Sequence, residues 1–153
     1  MPLAPRFKSA PKVLVASVLR KGPYGTIGTT MRELMAWLES KGVERSGDPF
    51  CMFYDNPTET PVGDLRSEAC VPVSKPFKSD GRFAYKELPP VDVAETRHEG
   101  PPEQFAMTYG PFLESLINSG YALLGPAREY YASASDVKGP GSGYLIQQPI
   151  TKR

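Results

Sequence analysis

The stretch Val13-Leu14-Val15-Ala16-Ser17-Val18-Leu19-Arg20-Lys21-Gly22-Pro23 returns later in the chain as Val91-Asp92-Val93-Ala94-Glu95-Thr96-Arg97-His98-Glu99-Gly100-Pro101. The register that lays Gly22 on Gly100 also pairs Lys8 with Lys86, Pro11 with Pro89 and Thr30 with Thr108. It continues through Leu38 with Leu116, Gly42 with Gly120 and Gly47 with Gly125, without a gap. A duplicated unit of this size predicts two similar halves packed about a pseudo-twofold axis. A cleft between such copies is a common seat for a small ligand. In the same register Cys51 falls opposite Glu129, so only one copy carries an acid at that place.

Each copy reads as β-β-α-β-β. In the first, Arg6–Ser9 and the Val/Leu-rich Lys12–Arg20 are strands, and Thr26–Lys41 is a helix. Its apolar stripe is Ile27, Met31, Leu34, Met35 and Leu38, the spacing of one helix face. Gly42 stops the helix as a left-handed cap. Pro49–Asp55 and Ser67–Val73 follow as strands around the turn chemistry of Asn56-Pro57-Thr58-Glu59-Thr60-Pro61. In the second copy Arg82–Leu88 and Val91–Glu99 are strands, Glu103–Ser119 is helical, and Ala127–Ser133 and Gly143–Ile150 are strands. Gly139-Pro140-Gly141-Ser142-Gly143 reads as a hairpin loop, since a phosphate loop needs a preceding strand and a following helix.

With 153 residues the chain has room for a single domain with a real core, repeat one spanning about 6–76 and repeat two about 82–150. Its net charge of +1, with Lys and Arg scattered, offers no electrostatic footprint for a phosphate backbone. Nucleic acid is therefore not expected as a partner of this chain alone. No run approaches the roughly 20 apolar residues that span a bilayer, and no signal-peptide pattern opens the chain. The expectation is a cytoplasmic protein, a monomer or weak dimer, without a membrane segment.

The two helices differ. Gly110-Pro111 interrupts the second, which predicts a lost backbone hydrogen bond and a kink. Its stripe is Phe105, Tyr109, Phe112, Leu113 and Leu116, with Tyr109 where the first copy has Met31. A tyrosine in a core stripe needs a partner for its hydroxyl, either backbone or a group in a cleft. Glu129 lies in Ala127-Arg128-Glu129-Tyr130-Tyr131-Ala132, a segment of strong β-propensity. Alternation puts Glu129 and Tyr131 on one face, and Cys51 and Phe53 on the equivalent face of the first copy. If that face lines the cleft, an acid stands among Phe53, Tyr131, Tyr109 and, at the edge of its helix stripe, Trp37. A carboxylate in an aromatic box suits a lipophilic cation. The alternative is an exposed strand in which Glu129 pairs with a surface Lys or Arg.

Several motifs resemble the GyrI-like (gyrase-inhibitor-like) small-molecule-binding family. They are Tyr54-Asp55-Asn56-Pro57-Thr58-Glu59-Thr60-Pro61 with Leu65-Arg66-Ser67-Glu68-Ala69-Cys70-Val71-Pro72-Val73, and the turns Arg20-Lys21-Gly22-Pro23-Tyr24 and Arg97-His98-Glu99-Gly100-Pro101. Gly125-Pro126-Ala127-Arg128-Glu129-Tyr130-Tyr131 is similar to that family's Gly-Pro-Pro-Arg-Glu-aromatic pattern. The likeness runs from about Arg6 to Ile150. It implies an α+β fold: two pseudo-symmetric β-α-β-β repeats, a curved antiparallel sheet, two helices on one side and a ligand cleft between the repeats. It also implies that Glu129 is the pocket glutamate that meets cationic ligands; the pattern of strand faces, helix stripes and repeat register adds Tyr131, Tyr109, Phe53, Trp37, Met31 and Cys51 as the expected lining. Pro102 departs from the aromatic that usually occupies its turn.

Three functions follow from the resemblance. One is a stand-alone module that senses or sequesters amphipathic, cationic aromatic compounds. Another is a hydrolase that opens strained cyclopropanes of DNA-alkylating natural products, with Glu129 and Tyr131 as the acid–base pair. The third is a protein-interaction module of the gyrase-inhibitor type. No cofactor or metal is expected, because His98 is the only histidine and cannot anchor a cluster of imidazoles. His98 reads as a structural or surface residue. Asp55, Glu59, Asp64 and Glu68 read as a solvated turn cluster. Cys51 and Cys70 flank one turn and read as reduced cross-strand neighbours.

Overall fold

The computed structural model describes residues 5–98, 105–130 and 144–153, with side chains of 105 and 106 excluded. In chain order the elements are β1 (Arg6–Ala10), β2 (Val13–Lys21), α1 (Ile27–Ser40), β3 (Phe50–Phe53), β4 (Arg66–Pro72), β5 (Ala84–Leu88), β6 (Val91–His98), α2 (Phe105–Asn118), β7 (Tyr121–Leu123), β8 (Arg128–Tyr130) and β9 (Tyr144–Lys152). The class is α+β, with every strand pair antiparallel.

The chain forms two compact units that do not coincide with the two sequence copies. One is Lys12–Pro89, and the other joins the segment up to Pro11 with Pro90–Arg153. The reason lies in the first strand of each copy. Lys8 of β1 stands opposite Val93 of β6, and Lys86 of β5 stands opposite Val15 of β2. These two pairings are the same contact in the repeat register, so the copies have exchanged their leading strands. Pro11 and Pro89-Pro90 sit at the crossing points, where a residue without an N–H cannot extend the ladder.

In the Lys12–Pro89 unit the strand order is β3-β4-β2-β5, and α1 packs on β4 and β2. Helix α1 buries Ile27, Thr30, Met31, Leu34 and Leu38, while Met35 stays partly exposed. Each large apolar side chain buried this way contributes roughly 1.5–3 kcal/mol. The helix ends as expected. Gly42 has φ 68°, its N–H donates to the Glu39 carbonyl at 3.1 Å, and the Val43 N–H donates to the Leu38 carbonyl at 2.9 Å. That is the Schellman closure, and it needs the left-handed residue that Gly supplies. Cys51 stands opposite Ala69, and Cys70 opposite Phe50. The register is therefore one residue away from pairing the two cysteines. The two thiols sit on opposite faces of the pleat, both buried and neither in a disulfide.

The other unit has the order β1-β6-β9-β8, with β7 on the far end of β9 through Tyr121 opposite Lys152 and Leu123 opposite Ile150. The short β7 was not foreseen, because three residues after a helix cap carry too little pattern. Ala94, Phe112, Leu116, Ile146 and Ile150 form the buried core, and Tyr109, Leu113, Tyr121, Leu123 and Ala127 pack against it. Helix α2 runs through Pro111, whose missing N–H removes the bond to the Met107 carbonyl. Gly120 (φ 93°) ends α2 as Gly42 ends α1. The Gly139–Gly143 loop, Pro102 and the last residues of the strand foreseen to Ser133 lie outside the described residues.

Candidate functional site

Gly125, at φ 64°, turns the chain into β8. On β8 Glu129 stands opposite Ile146, a core residue, while alternation turns Arg128 and Tyr130 to the other face. The Glu129 carboxylate therefore points toward the side that α2 covers. Tyr109, one turn before Phe112 and Leu113 on α2, places its hydroxyl 2.6 Å from Glu129 Oε2 and donates to it. That settles where the stripe tyrosine finds its partner. Glu129 is only 4% exposed, and its Oε1 is buried with no hydrogen-bond partner among the described residues.

Two other buried carboxylates show what is unusual here. Glu68, expected in solvent, is buried on β4; it accepts from Tyr54 Oη at 2.5 Å and pairs with Lys86 Nζ at 2.5 Å. The strand itself is the one the sequence predicts; local pattern does not show that Glu68 enters its buried face together with a cation from β5. Glu95 accepts from Gln147 Nε2 at 2.5 Å and pairs with Lys8 Nζ at 3.2 Å. Glu129 alone of the three has no basic partner among the described residues. Asp55, exposed only 14% along its side chain, is held by Arg66 at 2.9 Å, and this hydrogen bonding keeps its carboxyl below the usual range.

A buried carboxylate without a cation is costly to ionise. Burial raises the Glu129 pKa to about 7, with the Tyr109 hydrogen bond acting in the opposite direction. The Tyr109 phenol is pushed above its ordinary value, first by burial, then by the charge and hydrogen bond of Glu129. The pair can thus hold or release a proton near neutrality.

His98, the last residue of β6, takes the structural of its two expected roles. It is buried on β6, its Nδ1 2.8 Å from Thr108 Oγ1, with its ring 6.2 Å from that of Tyr144. Adjacent residues of α2 thereby anchor on two strands, Thr108 on β6 and Tyr109 on β8. The recurrence of Thr108 as Thr30, buried on α1, was the available sequence signal.

Of the other residues expected at the site, Tyr131 lies outside the described residues. Four belong to the Lys12–Pro89 unit and occupy separate settings there. Met31 is in the buried stripe of α1, and Cys51 is buried on β3. Phe53 meets Tyr24 edge-on at 4.7 Å. Trp37 stacks on Phe83 at 4.8 Å and tilts against Phe77 at 5.5 Å. Among the described residues no three of His, Cys, Asp and Glu come together as metal ligands, and no helix is long and apolar enough to cross a membrane.

Residues 3–145 match the model of the GyrI-like small molecule binding domain. The chain belongs to the GyrI-like family. Its fold is similar to that of the EcmrR C-terminal domain, at TM-score 0.86 and 18% identity over 98% of each chain. It is also similar to a hydrolase from Listeria innocua, at TM-score 0.68 and 12% identity over 96% of this chain and 91% of the other. A third similar structure is SAV2435 bound to tetraphenylphosphonium, at TM-score 0.60 and 7% identity over 97% and 94%. No curated protein sequence matches the chain significantly. As a GyrI-like domain the chain is a small-molecule-binding domain.

Proposed function

We propose that this GyrI-like domain binds amphipathic, cationic aromatic compounds at Glu129 and serves to sense or sequester them. The observation that carries the reading is a carboxylate 4% exposed, with one oxygen unpartnered and no basic side chain beside it among the described residues. An organic cation supplies the missing counter-charge, and its apolar surface replaces buried area rather than water. Binding such a cation favours the ionised acid and draws its pKa down from about 7. SAV2435, which shares the fold, has been seen with tetraphenylphosphonium, and this supports the choice of probe.

The test is calorimetric titration with tetraphenylphosphonium and the neutral triphenylphosphine oxide. Glu129→Gln should weaken the cation about tenfold or more, since charge pairing away from water exceeds that of a surface pair, and should leave the neutral compound nearly unchanged. Equal loss for both compounds would show that the acid only maintains shape.

A second reading is supported by the same raised pKa. A carboxyl near neutrality, hydrogen-bonded to a phenol, has the protonation behaviour of a general acid–base group. In cyclopropane opening the acid would protonate the fragment that takes the ring bond's electron pair, water would add to the other carbon, and the water's proton would return to the carboxylate. Among GyrI-like folds, the Listeria innocua relative is described as a hydrolase. Turnover of a cyclopropane substrate, abolished in Glu129→Gln, would select this reading; saturable binding without turnover would select the first.

A further inference from the structure

We infer that the Lys12–Pro89 unit carries a second binding site, for flat aromatic anions, between Trp37 and the segment 77–80. A cavity of about 440 Å³ opens there, lined by Trp37, Lys41, Val43, Phe77, Lys78, Ser79 and Asp80. Its aromatic wall is preassembled. The Trp37 ring lies parallel to Phe83 at 4.8 Å, and Phe77 is held edge-on against Tyr85 at 5.5 Å. Phe83 is fixed from its own side by the Arg82 guanidinium, 5.0 Å from its centroid, and Arg82 is in turn tied to Glu33 at 3.0 Å. The turn Asp80–Phe83 is closed by two backbone hydrogen bonds, of 2.9 and 3.0 Å, around Gly81 at φ 60°. A planar ring can therefore be received without reorganising the wall, which is the main entropic advantage of a preformed site.

The charge of the lining sets the class of ligand. Lys41 and Lys78 both line the cavity against a single carboxylate, Asp80, and neither lysine is engaged in an ion pair among the described residues. The carbonyls at the end of α1 do not compete for Lys41, because that last turn is already closed. The Trp37 carbonyl accepts from Ser40 Oγ and the Lys41 N–H, the Leu38 carbonyl from the Val43 N–H, and the Glu39 carbonyl from the Gly42 N–H. Two free ammonium groups beside indole and phenyl rings complement an aromatic carboxylate or sulfonate. The preference is opposite in sign to that of Glu129, and the two sites lie in different units.

Trp37 is the only tryptophan, so its fluorescence reports on this site alone. The probes are anilinonaphthalenesulfonate and its uncharged counterpart N-phenylnaphthylamine. The sulfonate should quench Trp37 by energy transfer, saturably and with one site per chain. The Lys41→Gln, Lys78→Gln double variant should weaken it about tenfold, the scale of two partly exposed charge pairs, while N-phenylnaphthylamine is unaffected. Because both lysines are exposed, the variant should fold; as a check on unaltered protein, raising salt should weaken only the sulfonate. Glu129→Gln should leave sulfonate binding intact, which separates failure of this site from failure of the cation site. Equal binding of both dyes, or no effect of the double variant, would overturn the assignment. So would a change of oligomeric state in the double variant on sedimentation, which would mark the face as an interface between copies.

Discussion

The Tyr109 hydroxyl donates to one oxygen of Glu129 at 2.6 Å and leaves the other oxygen of the same carboxylate buried without a partner among the described residues. One hydrogen bond is not enough to hold a buried charge. The carboxyl is therefore poised, and its balance can be shifted from either side of the bond.

Stability should fall as pH rises from about 4.5 to about 7 and then level off. Glu129 has a folded pKa near 7 against an ordinary 4.5. In that window the folded state holds a proton that the unfolded state has lost, so the slope of stability against pH is negative. The ceiling is about 3 kcal/mol for a shift of this size. Urea unfolding from pH 4 to 9 should show the decline in wild type and its absence in Glu129→Gln. Parallel curves would place the titration elsewhere.

Tyr109→Phe removes the one interaction that favours the ionised form of Glu129, since the hydrogen bond lowers its pKa. The variant's Glu129 should titrate at a higher pH than in wild type. Tetraphenylphosphonium affinity, which should rise with pH through the Glu129 titration, should shift its midpoint upward in parallel. An unchanged midpoint would mean that the phenol does not control the acid.

Lys86→Met leaves Glu68 buried with, among the described residues, only the Tyr54 hydroxyl as a partner. An unpaired buried charge costs several kcal/mol, and partial exposure of Lys86 reduces the expected loss to about 1–3 kcal/mol. Adding Glu68→Gln should recover part of it. A loss that Glu68→Gln does not touch would assign the effect to the lysine's aliphatic stem.

Gly42→Ala and Gly120→Ala should each cost on the order of 1 kcal/mol, because both positions have φ well inside the left-handed region. No atom crowds either site, so the cost is conformational and the two variants should behave alike in denaturant melts. A neutral Gly120→Ala would break the equivalence of the two helix ends.

Much of this architecture is written in local pattern. The stripe Ile27, Met31, Leu34 and Leu38 specifies α1 because helical period is a property of neighbours. Gly42 and Gly120 specify its end and that of α2 because left-handed backbone disfavours a side chain. The repeat register singled out Glu129 against Cys51, and alternation put it on the opposite face from Arg128. What depends on residues far apart in the chain was decided only by the fold. The exchange of β1 and β5 between copies left no local mark, since Lys8 and Lys86 look alike in both possible pairings. The burial of Glu68 depended on a lysine from β5, and that of His98 on a threonine of α2. Even the Cys51–Cys70 relationship, close in sequence, turned on a one-residue register that side-chain type does not encode. Sequence determines what each segment can form; which buried polar group meets which partner is fixed by strand pairing and helix docking, whose energies come from contacts the segment does not contain.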